Sequence, residues 1–168
     1  MRPENHEFAP FYGKYIEKVK AENSLAALES SYKEALDFLP QIRENKADFR
    51  YAEEKWTVKE LLQHLTDTER IMAYRALCIA RKDQTALPGF NENAYVAALD
   101  LSGRNIQEIK EELLELKKST LAMFRGFAEE ALMRMGNMNG QPASVRALAY
   151  IIAGHQHHHF IILKERYL

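Results

Sequence analysis

The chain has 168 residues, 46% of them hydrophobic and 28% charged, the balance of one ordinary globular domain, residues 1–168, long enough to bury a core. Its 23 Lys and Arg against 24 Asp and Glu leave a formal charge of −1, which argues against a nucleic-acid partner, since such a surface needs a cationic excess. The single cysteine, Cys78, excludes an intramolecular disulfide and points to a reducing, cytoplasmic setting; no signal-like leader and no membrane partner are expected, because no run nears the roughly 18 apolar residues that span a bilayer.

The apolar spacing is helical nearly throughout. Leu25, Leu28, Tyr32, Ala35, Leu36 and Leu39 recur at steps of three and four and predict a helix from Ser24 to Leu39, closed by Pro40. A polar connection leads to Trp56. Thr57 and Glu60 then form a capping-box pattern that opens a helix reaching about Arg81. A long linker around Pro88-Gly89 follows, with a short helical piece from Asn93 to Leu99. Ser102 or Asn105 can cap a third long helix ending near Phe127. "MGNMNGQPASVRA" is a turn region without a convincing strand, and Ser144 caps a last helix running to the C-terminus. Four long helices with short additional ones predict an all-α fold, a helix bundle.

Four of the six histidines fall within residues 155–159. At about 100° per residue, Leu148, Ile152, His155, His159 and Ile162 form one inward stripe. His155 and His159 lie one turn apart on it, which lets both imidazoles face one ion. His158 falls about 60° aside, and His157 projects nearly opposite, toward solvent. A third ligand can come from His6 or His64, and His64 lies beside Leu61 and Thr68 on the inner face of its helix. The alternative is a cluster of packed core histidines, although burying neutral imidazoles without partners costs desolvation energy.

Three stretches, "KWTVKELLQHLTDTERIMAYRAL", "ALPGFNENAYV" and "SVRALAYIIAGHQHHHFIILKERYL", together resemble the DinB-like family, also called DinB/YfiT-like metalloenzymes, over about residues 25–168. The resemblance implies a four-helix bundle holding a divalent metal ion, zinc or nickel, on His64, His155 and His159, and often a homodimer. It also implies a small-molecule substrate, with hydrolysis or transfer of a low-molecular-weight thiol as the reaction. Where relatives often carry an acid after the Phe of the second stretch, this chain has Asn91, with Glu92 next.

Three neutral imidazoles leave a metal ion its full charge and an open position. Candidate catalytic groups beside it are Asp67, three residues after His64, and His158. Asp67 can orient an imidazole or stay a solvated helix carboxylate. Glu69 is expected to pair with an arginine or face water, Trp56 to anchor the helix start or line a pocket, and Arg146 and Arg166 to be exposed helix charges or to bind an anionic substrate. "LPGF", Leu87 to Phe90, either folds over the metal or is a surface loop, and Cys78 is a small packing residue. The alternative to an enzyme is a non-catalytic bundle stapled by metal, or a stress-related binding protein.

Overall fold

The computed structural model describes all residues, Met1–Leu168. Seven helices and one hairpin follow in the order α1 (Gly13–Ile16), α2 (Ser24–Phe38), α3 (Val58–Ala80), α4 (Glu92–Ala97), α5 (Ile106–Arg125), α6 (Glu129–Leu132), β1 (Met135–Met138), β2 (Gln141–Ser144) and α7 (Val145–Arg166). The long helices start where the sequence supplies oxygen acceptors for their free amides. Asn23 caps α2, Thr57 and Glu60 close a reciprocal box on α3, Asn105 and Glu108 do the same on α5, and the Ser144 hydroxyl accepts from the Ala147 amide. Of the two candidates for the α5 cap, Asn105 is the one used.

Buried apolar residues divide into two clusters. One contains Leu28 of α2, Met72 of α3, Leu121 of α5 and Ile152 of α7. The other contains Phe38, Leu65, Leu113 and Phe160 of the same helices. Along α2 and α7 the chain passes from the first cluster to the second, and along α3 and α5 in the reverse sense. The two pairs therefore run antiparallel, with α7 packed against α1, α2 and α3.

Polar residues separate the clusters. Lys117 of α5 is 2.8 Å from Glu69 of α3 and donates to Ser31 Oγ of α2 at 3.0 Å. Gln156 of α7 donates to the Ser31 carbonyl at 2.8 Å. His64 and His155 belong to the same stratum. Glu69 is thus neither solvated nor paired with an arginine: the lysine one helix away claims it.

The turn region holds a hairpin that the sequence analysis did not predict. β1 pairs with β2 from Met135–Ser144 to Met138–Gln141, and Asn139 and Gly140 make the turn with φ of 53° and 75°. Asn-Gly at positive φ suits the twist of a two-residue hairpin loop. The strands, of four residues each, lack the β-branched alternation that would announce them. The hairpin also holds the preceding linker, since the Leu87 amide donates to Asn137 O at 3.2 Å and the Asn139 amide to Leu87 O at 2.8 Å.

α7 also differs from the single inward stripe. Every residue from Val145 to Gln156 is buried, because the N-terminal segment covers the side that α2 and α3 leave open. Arg146, expected in solvent, is buried against Glu7: its Nε donates to Oε2 at 2.7 Å and its Nη2 pairs with Oε1. Ser144 Oγ donates to the same carboxylate at 2.6 Å. Burial alone would raise the Glu7 pKa, but hydrogen bonds from Arg146, Ser144 and the Glu4 amide outweigh it and lower it to about 2.

Two predictions come from this anchoring. Glu7→Gln should cost about 3 kcal/mol in urea unfolding, because Arg146 is left buried without its counter-charge. In the parent, the contribution of Glu7 is full above pH 4.5 and lost as pH falls toward 2, since the unfolded carboxyl takes up its proton first; the variant should lack that part of the acid loss. At Gly154 an added Cβ would lie 2.1 Å from the Tyr15 carbonyl oxygen. Gly154→Ala should therefore lower the melting temperature by several degrees, about 1–3 kcal/mol of overpacking.

Candidate metal centre

The antiparallel crossing of α3 and α7 brings together three imidazoles from distant parts of the chain. His64 Nε2 lies 3.2 Å from His155 Nε2, and His159 Nε2 lies 3.1 Å from the same atom. One ring nitrogen from each histidine falls within 4.8 Å of the others. The rings meet edge to face, with centroids 4.6–5.0 Å apart.

Hydrogen bonding within the protein does not satisfy this arrangement. A neutral imidazole carries one N–H, so His155 Nε2 can donate to only one of its two neighbours. Its single lone pair, in the other tautomer, is likewise enough for only one of them, so one of the two close contacts is left without a hydrogen bond. The Nδ1 of His159 is buried with no partner at all. Three converging nitrogen lone pairs are the donor set that a divalent ion such as zinc accepts, so the residues present fit a metal.

Electrostatics keep the imidazoles in their ligand form. Burial lowers the His64 pKa to about 4, against a smaller upward pull from Glu92. Burial, then the charges of His64, His158 and Lys14, lower His159 to about 3. His155 lies well below the ordinary value, mainly through burial and then through His159 and His64. All three are neutral at pH 7, with lone pairs available. Neighbours fix their orientation: the Thr68 hydroxyl is 3.5 Å from His64 Nδ1, Trp56 packs 4.7 Å from the His64 ring, and the Tyr15 ring stands edge-on 5.4 Å from His155.

The three histidines line a cavity of about 610 Å³ that opens to solvent. Its walls come from four parts of the chain: Tyr12 and Tyr15 of the N-terminal segment, Arg75 of α3, the Gly89–Glu92 stretch entering α4, and Met138, Asn139 and Gln141 of the hairpin. The linker therefore does border the metal centre. It is seated closely, since a Cβ on Gly89 would lie 2.4 Å from the Asn139 side-chain oxygen.

His158, the second predicted catalytic group, lines the cavity, with its ring 5.2 Å from that of His159. Burial and the charges of Lys18 and Lys14 lower its pKa. Asp67 is placed elsewhere: it accepts from Gln63 Nε2 at 3.0 Å and lies 3.6 Å from Arg70. This group joins α3 to Glu112 of α5, away from the cavity. A step of three residues turned the carboxylate toward α5 instead of the imidazoles. Glu92 is the carboxylate that does line the cavity.

His157 is half-buried rather than free, with Nδ1 2.6 Å from Glu34 of α2. His6 is exposed beside Glu4, outside the ligand set. Trp56 lines the cavity, and its backbone carbonyl accepts from the Tyr167 hydroxyl at 2.9 Å. Cys78 is buried in the core as expected. Sequence patterns gave no sign of Arg75, Tyr12 and Tyr15, whose only link to the histidines is spatial.

Among solved structures, the chain is similar to YfiT from Bacillus subtilis, described as a probable metal-dependent hydrolase with an unusual four-helix bundle topology. The TM-score is 0.69 at 18% identity, over 98% of this chain and 90% of that one, which establishes a common fold. No curated protein matches. Residues 20–163 match the DinB superfamily, a span that holds α2, α3 and α5 whole, α7 as far as Leu163, and the three histidines. The chain belongs to the DinB superfamily.

Proposed function

We propose that the protein is a metal-dependent hydrolase of a small molecule, with zinc or nickel held by the Nε2 atoms of His64, His155 and His159. The observation that carries this is the convergence of three neutral, under-satisfied imidazole nitrogens on the wall of an open cavity. When bound, a divalent ion there supplies Lewis acidity and lowers the pKa of water toward about 7. The nucleophile in this reading is water. In this scheme a Glu92 carboxylate oxygen takes the proton from the attacking water and returns it to the leaving group. Thr68 and Tyr15 hold the imidazoles in place, and Trp56 and Phe90 exclude bulk water from the reacting bond.

Elemental analysis of untagged protein never exposed to a nickel column should find about one divalent ion per chain. The ion should be lost in His155→Ala and His159→Ala. A parent that takes up neither zinc nor nickel would overturn the reading and leave the histidines as part of the polar stratum. In a screen of nitrophenyl esters, Glu92→Gln should lower kcat about 100-fold or more with metal content unchanged. An undiminished rate would remove Glu92 from the proton-transfer role.

A further inference from the structure

Arg75 is only 3% exposed, yet no carboxylate accompanies it. The comparably buried Arg146 and Lys117 are paired with Glu7 and Glu69. The Arg75 guanidinium donates to the Pro88 carbonyl at 2.5 Å, faces Met72 Sδ at 3.5 Å and lies 5.8 Å from the centre of the Phe90 ring. Burial disfavours its charge, and the groups that offset this are the phenols of Tyr12 and Tyr95. A guanidinium has five N–H donors in a planar fork, and these contacts leave part of it unused on the cavity wall. An unpaired buried cation is costly unless a ligand supplies the missing charge.

We infer that Arg75 is the anchor for a carboxylate on the substrate, which lies across the cavity between Arg75 and the three histidines. The inference rests on this cavity being the reaction site. Charge decides between a carboxylate and a phosphate. In the metal-free protein the charged side chains of the lining are Lys14 and Arg75 against Glu92, an excess of one positive charge that matches a monoanion even before any ion adds to it. A phosphate dianion would meet repulsion from Glu92 in a partly dehydrated space. Tyr12, Trp56 and Phe90 offer aromatic surface for an apolar or aromatic body attached to that carboxylate.

Trp56 is the only tryptophan and lines the cavity, so its fluorescence reports occupancy directly. Metal-free protein is titrated at pH 7.5 with benzoate, benzamide and phenyl phosphate, which removes any attraction of the anion to a metal ion. Benzoate should bind about 10-fold or more tightly than benzamide, and phenyl phosphate more weakly than benzoate. Arg75→Met should abolish the preference for benzoate while zinc uptake stays at the parental level. If Arg75→Met fails to fold, Arg75→Lys decides, because it keeps the charge and loses the fork; the preference should fall about 3-fold or more. Equal binding of benzoate and benzamide by the parent, no binding of either, or a preference that survives substitution of Arg75 would overturn the anchor. Tighter binding of phenyl phosphate would overturn the carboxylate assignment. A parent that prefers benzoate but takes up no zinc would keep the anchor and discard the metal.

Discussion

The structure depends on one buried polar stratum that cuts across the bundle. Each long helix contributes to it at the level where its apolar residues pass from one cluster to the other: Ser31 on α2, Glu69 on α3, Lys117 on α5, His155 and Gln156 on α7. Such groups are tolerated inside a core only when each finds a partner. Here the partners lie on different helices. Sliding any one helix by a turn, about 5.4 Å, would put an ion or an amide among leucines. The stratum therefore fixes the register of all four helices, and with it the distance between His64 and His155.

The same stratum explains why the three-histidine cluster sits inside the bundle yet opens to one side. Toward α2 and α5, the histidines are backed by the Lys117–Glu69 pair and by Gln156, whose amide N–H donates to the Ser31 carbonyl. On the other side no long helix is present. The gap is bordered instead by the N-terminal segment, the α3–α4 linker and the hairpin. Each is pinned by a specific contact: Glu7 to Arg146, Tyr15 over Gly154, and Leu87 to the hairpin backbone. These short pieces leave between them the open cavity that the histidines line.

Charge is distributed to suit that division. Two of the buried cations, Lys117 and Arg146, carry carboxylate partners, and Lys110 donates to the Ile42 carbonyl. The Arg75 cation and the Glu92 carboxylate on the cavity wall have no such ion-pair partners. The interior settles its electrostatics within the chain, while the cavity keeps charges free for a ligand. Asp67 shows the difference a single helical step makes. Three residues beyond His64 it belongs to a network with Gln63, Arg70 and Glu112, which ties α3 to α5.

The sequence by itself determined the features that arise within a turn or two of helix. The caps at Thr57 and Ser144, the four long helices and the facing pair His155 and His159 all follow from local pattern and spacing, because helical geometry repeats every 3.6 residues; the cap of α5 was narrowed to Ser102 or Asn105. The Asn-Gly turn was legible too, but strands of four residues gave no alternation to read. What spacing alone could not supply were relations between segments far apart in the chain. His64 meets His155 across 91 positions; helical spacing put it on an inner face, and the family resemblance named it as the third ligand. Which carboxylate faces the cavity, why Arg146 is buried and Arg75 lacks a counter-ion, and where the N-terminal segment lies were decided by tertiary packing. Local sequence fixes the direction in which a side chain leaves its helix, whereas the groups it meets there depend on the register that the buried polar stratum imposes on all four helices.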